Sequence, residues 1–191
     1  MPSTLIERVI GAVRLDAATY EEVEADATSM NQAMIVVLVA SIAAGLGAGA
    51  AGDGSGRMLG SAIGALIGWF VWSATVYFVG TRLLPGPNTQ ADLGQLLRTT
   101  GFSAAPGAFG ILGFLPLVGG LAATVAGLWQ LAAMVVAVRQ ALDYETTGRA
   151  VLVCVIGFLA YVLVFFLILA ILGVVFGTAG GIAGTTGTVT P

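Results

Sequence analysis

At 191 residues, 58% hydrophobic and only 9% charged, with a mean hydropathy of +0.99, the chain is far from a soluble domain, in which about a quarter of residues are charged. Its seven basic residues are all arginine and scattered singly, and the net charge is -3, so no basic tract exists to neutralise phosphates and nucleic acid is excluded as a partner. With no His, no Lys and a single Cys154, there is no metal cluster, nucleophile and base pair, lysine phosphate loop or intrachain disulfide; a non-enzymatic protein without cofactors is expected.

Residues 1–32 read as a cytoplasmic segment of two short helices. Thr4 with Glu7, and Thr19 with Glu22, have the spacing of capping boxes, in which a hydroxyl and a carboxylate satisfy the first free backbone donors of a helix. In the first helix Leu5, Ile6, Val9, Ile10 and Val13 recur at helical spacing, the pattern of a helix lying on a membrane, on a partner or on the protein's own loops. The acidic content of this segment excludes a secretory signal.

Residues 33–177 read as an all-α membrane domain of five spans. Residues 33–51 and 59–81 form the first two, since about 20 apolar residues cover the roughly 30 Å of hydrocarbon, and the glycine-rich turn Gly52 to Arg57 separates them. Arg82 opens a connection whose Pro85, Gly86 and Pro87 stop the helix until Asp92. Residues 93–115 form a third span interrupted by Arg98, Pro106 and Gly107, predicting a kinked helix, with a re-entrant segment as the alternative. Residues 121–138 and 150–176 complete the set, and 178–191 read as a disordered Gly/Thr-rich tail. Five spans with the N-terminus inside and the C-terminus outside place Arg8, Arg14, Arg82, Arg98, Arg139 and Arg149 in the cytoplasm and only Arg57 outside, as basic-residue retention requires.

Candidate functional residues follow from what is unusual inside that frame. The acidic run Tyr20, Glu21, Glu22, Glu24 and Asp26 is a solvated face or a docking surface for a basic cytoplasmic protein. Arg98 and Arg139, near the cytoplasmic boundary, suit lipid headgroups because a guanidinium fork matches phosphate. Gln130, beside Trp129, is the most polar residue central to any span and serves either as a hydrogen bond across the bundle or as part of a solute site. Small residues four apart, Gly45 and Gly49 in the first span and Gly60, Gly64 and Gly68 in the second, permit close helix packing within the bundle or in a homo-oligomer.

The wording of several segments resembles the Yip-one domain family, membrane proteins named for interaction with Ypt/Rab GTPases. The resemblance rests on Arg14-Leu15-Asp16, the run from Tyr20 to Asp26, Gly80-Thr81-Arg82-Leu83-Leu84-Pro85, the stretch from Leu97 to Pro106, and that from Ala137 to Tyr144. It implies five spans and a cytoplasmic N-terminus. Eukaryotic relatives are implicated in vesicle traffic, Rab binding and the shaping of organelle membranes; the long N-terminal region they use is reduced here to residues 1–32. The all-arginine basic set and the Ala/Gly richness suggest a prokaryote, hence an inner-membrane location. The expected role is a membrane scaffold or partner-binding anchor in contact with lipids; the alternative is a transporter or permease for a small neutral or apolar solute, with a site near Gln130.

Overall fold

The computed structural model describes residues 3–48 and 55–185. Among them every regular element is helical. Helix α1 (Leu5–Val13) and helix α2 (Ala17–Ala25) precede a short 3-10 turn, Ala27–Ser29, that leads into α3 (Met30–Gly47). Helix α4 (Ser55–Phe78) ends in a π-helical turn, Val79–Leu83. Helix α5 (Leu93–Phe102) is followed by a 3-10 helix, Ala105–Phe114, then α6 (Gly119–Ala141) and α7 (Thr147–Thr185).

Local sequence explains most of these boundaries. The Thr4/Glu7 capping box forms as expected. The second does not, because Asp16 caps α2 while the Glu22 carboxylate accepts from Ser3 and Arg8. Asp92 and Gln95 instead make a reciprocal box at the start of α5, just beyond the proline-rich connection. Helix α7 continues through Thr185, into the stretch read as a tail, while 186–191 lie outside the described residues, as do Gly49 and residues 52–54 of the turn, whose other half, Ser55 to Arg57, opens α4.

Among the described residues four helical stretches are long and apolar enough to cross a membrane: Ala27–Gly47, Gly60–Leu83, Gly119–Ala141 and Thr147–Ile168. The third segment anticipated from sequence takes another form. Pro106 enters at the start of the 3-10 helix, and from there Gly107, Gly110 and Gly113 recur every third residue. Since a 3-10 helix has three residues per turn, they share one face, a row that Gly101 and Ala104 extend backwards.

This glycine face lies along α3. A Cβ added at Gly101 would fall 2.7 Å from Ala33 Cβ, at Gly107 3.7 Å from Ala40 Cβ, at Gly110 3.2 Å from Ala44 Cα, and at Gly113 2.9 Å from the Gly47 carbonyl oxygen. The two chains therefore run in the same direction. From Ala33 to Gly47 is about 21 Å at the α-helical rise, and from Gly101 to Gly113 about 22 Å at mixed α and 3-10 rises, so they keep step along their length. Helix α6 covers the other flank in the opposite direction, with Gly119 against Gly113 and Gln130 against Gly107. Phe109, Ile111, Leu112 and Phe114 are left exposed on the outer face.

Such a long 3-10 run is unusual in isolation. Packed backbone on both flanks replaces what longer side chains would fill, and only glycine permits it. The glycines singled out for packing behave differently: Gly45, Gly60 and Gly64 face open space, and Gly68 meets only the Tyr161 hydroxyl. Gly47→Ala, whose Cβ would fall 1.9 Å from the Gly110 carbonyl oxygen, is expected to cost about 1–3 kcal/mol as an overpacking change. In detergent its thermal midpoint should drop, whereas that of Gly45→Ala should hold or rise.

Candidate functional site at the polar end of the bundle

Nearly all the charge of the molecule gathers at one end. There α1 and α2 fold over the start of α3 and α5, beside the 84–92 connection and the 142–146 turn. The organising residue is Arg8, 1% exposed, whose Nη2 lies 2.8 Å from Glu22 Oε1 and 2.7 Å from Asp26 Oδ2. Its Nη1 donates to Gln32 at the head of α3. Burial opposes that charge, but the hydrogen bonds to Glu22 and Asp26 outweigh it and hold the guanidinium proton above its ordinary value. In return the Asp26 carboxyl, bonded to Thr28 and to Arg8, is pulled down to about 2. Glu22, held by Ser3 and Arg8, is also lowered.

A second arginine closes the joint to α5. Arg98, 8% exposed, donates from Nε to the Val23 carbonyl oxygen at 3.2 Å and from Nη2 to that of Glu24. These carbonyls lie in the last turn of α2, where a cation is favoured by the helix dipole. Gln95 donates to Glu24, and Gln140 of α6 donates to Glu21. Burial, with Asp143 nearby, pushes the Glu24 carboxyl up to about 7.

The loops are fastened by the same chemistry. The Tyr144 hydroxyl donates to the carbonyl oxygens of Gly80 and Leu84, at 3.2 and 2.8 Å. Arg149 reaches the Pro85 carbonyl oxygen and lies 5.6 Å from the Tyr144 ring centroid. Arg139 donates to the carbonyl oxygens of Tyr144 and Glu145 and to Thr147. Gly80 lets Leu142 pack closely, since a Cβ there would fall 2.4 Å from Leu142 Cδ1 and the leucine side chain would have to shift.

The acidic run is thus drawn inward. Tyr20 is fully buried, with its hydroxyl donating to the Ala12 carbonyl oxygen; Glu22 and Asp26 serve Arg8, Glu24 is half-buried, and Glu21 is the exposed member. Arg98 and Arg139 direct their guanidiniums at backbone carbonyls. Among the described residues the exposed guanidiniums that make no such bond are Arg14 and Arg82, which the sequence did not single out. Trp129 and Gln130 point to different places. Trp129 stacks on Phe109 at 5.7 Å and donates to the Val13 carbonyl oxygen, tying α1 to the flank of the bundle.

Gln130 faces a cavity of about 480 Å³ to which α3, α4, α6, α7 and the α5/3-10 segment all contribute. Its amide oxygen sits over Gly107, where a Cβ would fall 2.6 Å away. It also borders a second, glycine-lined cleft of about 350 Å³ between α3, the 3-10 helix and α6. No group of His, Cys, Asp and Glu able to hold a metal ion occurs among the described residues.

The stretches that join at this polar end, from the Leu15 turn through Glu24, Gly80, Arg98 and Tyr144, also lie within the part of the chain that has recognisable kin: residues 15–169 match the Yip1 domain. The chain belongs to the Yip1 domain family. With its four long apolar helices, this Yip1 protein is a multi-pass membrane protein. Helix α1 precedes the matched region. Neither a search of curated proteins nor one of solved structures finds a match.

The charge network fixes how stability varies with pH. Glu24 titrates higher in the fold than its ordinary 4.5, so the folded state holds the extra proton, and stability falls as pH rises from about 4.5 through about 7. Glu24→Gln should be more stable than the parent above pH 7, with a flatter profile between. Asp26 has the opposite sign: its contribution is present above its ordinary 3.8 and is lost as pH falls toward about 2. Arg8→Met should lower stability by about 2 kcal/mol, less than the roughly 3–5 of a fully buried pair because both carboxylates are partly exposed. Thermal melts of the reconstituted protein across about pH 2 to 9 would check all three.

Proposed function

We propose that the protein is a non-enzymatic membrane scaffold that acts on the lipid surface at its polar end, which faces the cytoplasm. The observation carrying this reading is the outer stripe of α1. Ile6 and Ile10 are 70% and 45% exposed, and Arg14, also exposed, follows four residues later on the same helix face. The apolar face expected from the sequence divides in two: Leu5, Val9 and Val13 pack on the bundle, while the isoleucines remain free. Trp129, midway along α6, holds the end of α1 against the flank of a helix that itself spans hydrocarbon, so the stripe faces the acyl chains below their boundary with the headgroups. Two large apolar side chains with a guanidinium at one end suit that boundary.

The cytoplasmic assignment is supported by arginine. Arg8, Arg98, Arg139 and Arg149 are bonded within the polar end, and Arg14 and Arg82 lie in the same region, while Arg57 is in the first turn of α4 at the opposite end. Retention of arginine inside then favours a cytoplasmic N-terminus. The parallel course of α3 and the α5/3-10 segment favours five crossings, with the C-terminus outside. The inward use of Glu22, Glu24 and Asp26 leaves little acidic surface for a basic protein, which turns the reading toward lipid.

A permease for a small neutral solute draws on the cavity at Gln130. It is the weaker reading, because the cavity's lining is mainly apolar, with the Gln130 amide and the Tyr161 hydroxyl as its unbonded polar groups among the described residues, too few partners to pass a polar solute through the bilayer. The test uses nitroxides at Ile6→Cys, Glu7→Cys and Ile10→Cys in a Cys154→Ala background, in vesicles containing anionic lipid. Positions 6 and 10 should collide more with oxygen than with a water-soluble relaxer, and position 7 the reverse. Ile6→Asp with Ile10→Asp should also cancel any effect of the protein on vesicle diameter; uniform water exposure at all three positions would remove the basis of the reading.

A further inference from the structure

The central cavity has a composition that the scaffold role does not use. Its walls are apolar, built from residues such as Ala40, Ala65, Trp69, Trp72, Leu131 and Phe158. Two polar side chains border it without any hydrogen bond among the described residues: the Gln130 amide and the Tyr161 hydroxyl. The other polar groups nearby are satisfied. Thr100 is bonded to Ser73 and to the Leu96 carbonyl oxygen, Trp69 donates to the Leu97 carbonyl oxygen, Trp72 contacts Met134 sulfur, and Ser41 donates to the Leu38 carbonyl oxygen.

An unpaired amide away from water costs free energy unless something completes it. Water would do so in a polar chamber, but it needs two to four polar partners, and this one offers few. The cavity of about 480 Å³ falls within the range of small-molecule sites, roughly 300–1,000 Å³, which are mainly apolar with a few placed polar groups. Gln130 stands where it meets the glycine-lined cleft, which runs toward the Gly47 and Gly119 end of the bundle. A group hydrogen-bonded there has room on both sides.

We infer that the cavity binds an uncharged, membrane-dissolved amphiphile: a long apolar chain held among Trp69, Trp72 and Phe158, bearing one hydroxyl or carbonyl that pairs with Gln130 and Tyr161. Charged headgroups are rejected because no residue lining either cavity can compensate a charge. The amide supplies both a donor and an acceptor, so an alcohol is served as well as a ketone. Entry from the bilayer requires no aqueous path. The site is independent of α1, and a scaffold with an inert α1 would still bind.

The two cavity tryptophans provide the readout. In a Trp129→Phe background, Trp69 and Trp72 are the remaining emitters, and a dibrominated long-chain alcohol is titrated into lipid nanodiscs holding the protein. Saturable quenching is expected, while the matching dibrominated alkane, lacking the hydroxyl, quenches weakly and without saturation. Gln130→Met and Tyr161→Phe should each raise the half-saturating concentration roughly fivefold, the scale of one net hydrogen bond. Gly127→Leu, at a wall position where an added Cβ meets nothing within 4 Å, should abolish saturation while leaving the thermal midpoint in place. Alcohol and alkane quenching alike in proportion to concentration, or an unchanged curve for both Gln130→Met and Gly127→Leu, would overturn the inference.

Discussion

In hydrocarbon a peptide group has no water to bond, so backbone that departs from a regular helix survives there only where protein covers it. On the five-crossing reading proposed above, the α5/3-10 segment is the place where this constraint bears on the whole molecule. Proline and glycine deny it a continuous α-helix, and α3 and α6 close over its two flanks. The small faces of the three elements interlock as a consequence. Ala33, Ala40, Ala44 and Gly47 on α3 meet Gly101, Gly107, Gly110 and Gly113 with backbone nearly in contact. Close packing of this kind, rather than exclusion of apolar surface from water, is what holds helices together in lipid.

The polar end solves a related problem by different means. Helices α1 and α2 are too short to be stable alone, and they are joined to the bundle by arginines. Arg8 gathers Glu22, Asp26 and Gln32, Arg98 takes the terminal carbonyls of α2, and Tyr144 with Arg149 secures the turn after α4. Breaking one of these contacts would leave charge or carbonyl oxygen poorly matched, so they position α1 as well as stabilise it. The exposed Ile6, Ile10 and Arg14 stripe owes its orientation to this scaffolding.

Much of this was legible in the chain. Four of the five segments read as spans are long apolar helices, Thr4 with Glu7 marks a cap, Asp92 marks the restart after the prolines, and single arginines mark one end. The direction in which charged groups point was not legible, because the acidic run looks solvated until Arg8 folds back across fourteen residues onto Glu22. Nor was the packing face. Helix α3 has small residues on more than one side, and the row containing Gly45 is as plausible by spacing as the row ending at Gly47, which is the one that packs. The period of three in Gly107, Gly110 and Gly113 is a signal for a 3-10 face, but it is read only if a turn of three residues is considered beside one of 3.6. Gln130 stood out as polar, whereas its place over Gly107 and beside the cavity is set by the packing of α6 on the 3-10 helix.

The central claim is that the α5/3-10 segment traverses the bilayer alongside α3. In a Cys154→Ala background, single cysteines at Asn88, Leu117 and Glu145 can be labelled with a membrane-impermeant maleimide in sealed vesicles of known orientation; Leu117 lies at the fully exposed turn after the 3-10 helix. Asn88→Cys and Glu145→Cys should react from one side and Leu117→Cys from the other. Labelling of all three from the same side would make the segment a re-entrant loop and contradict the account.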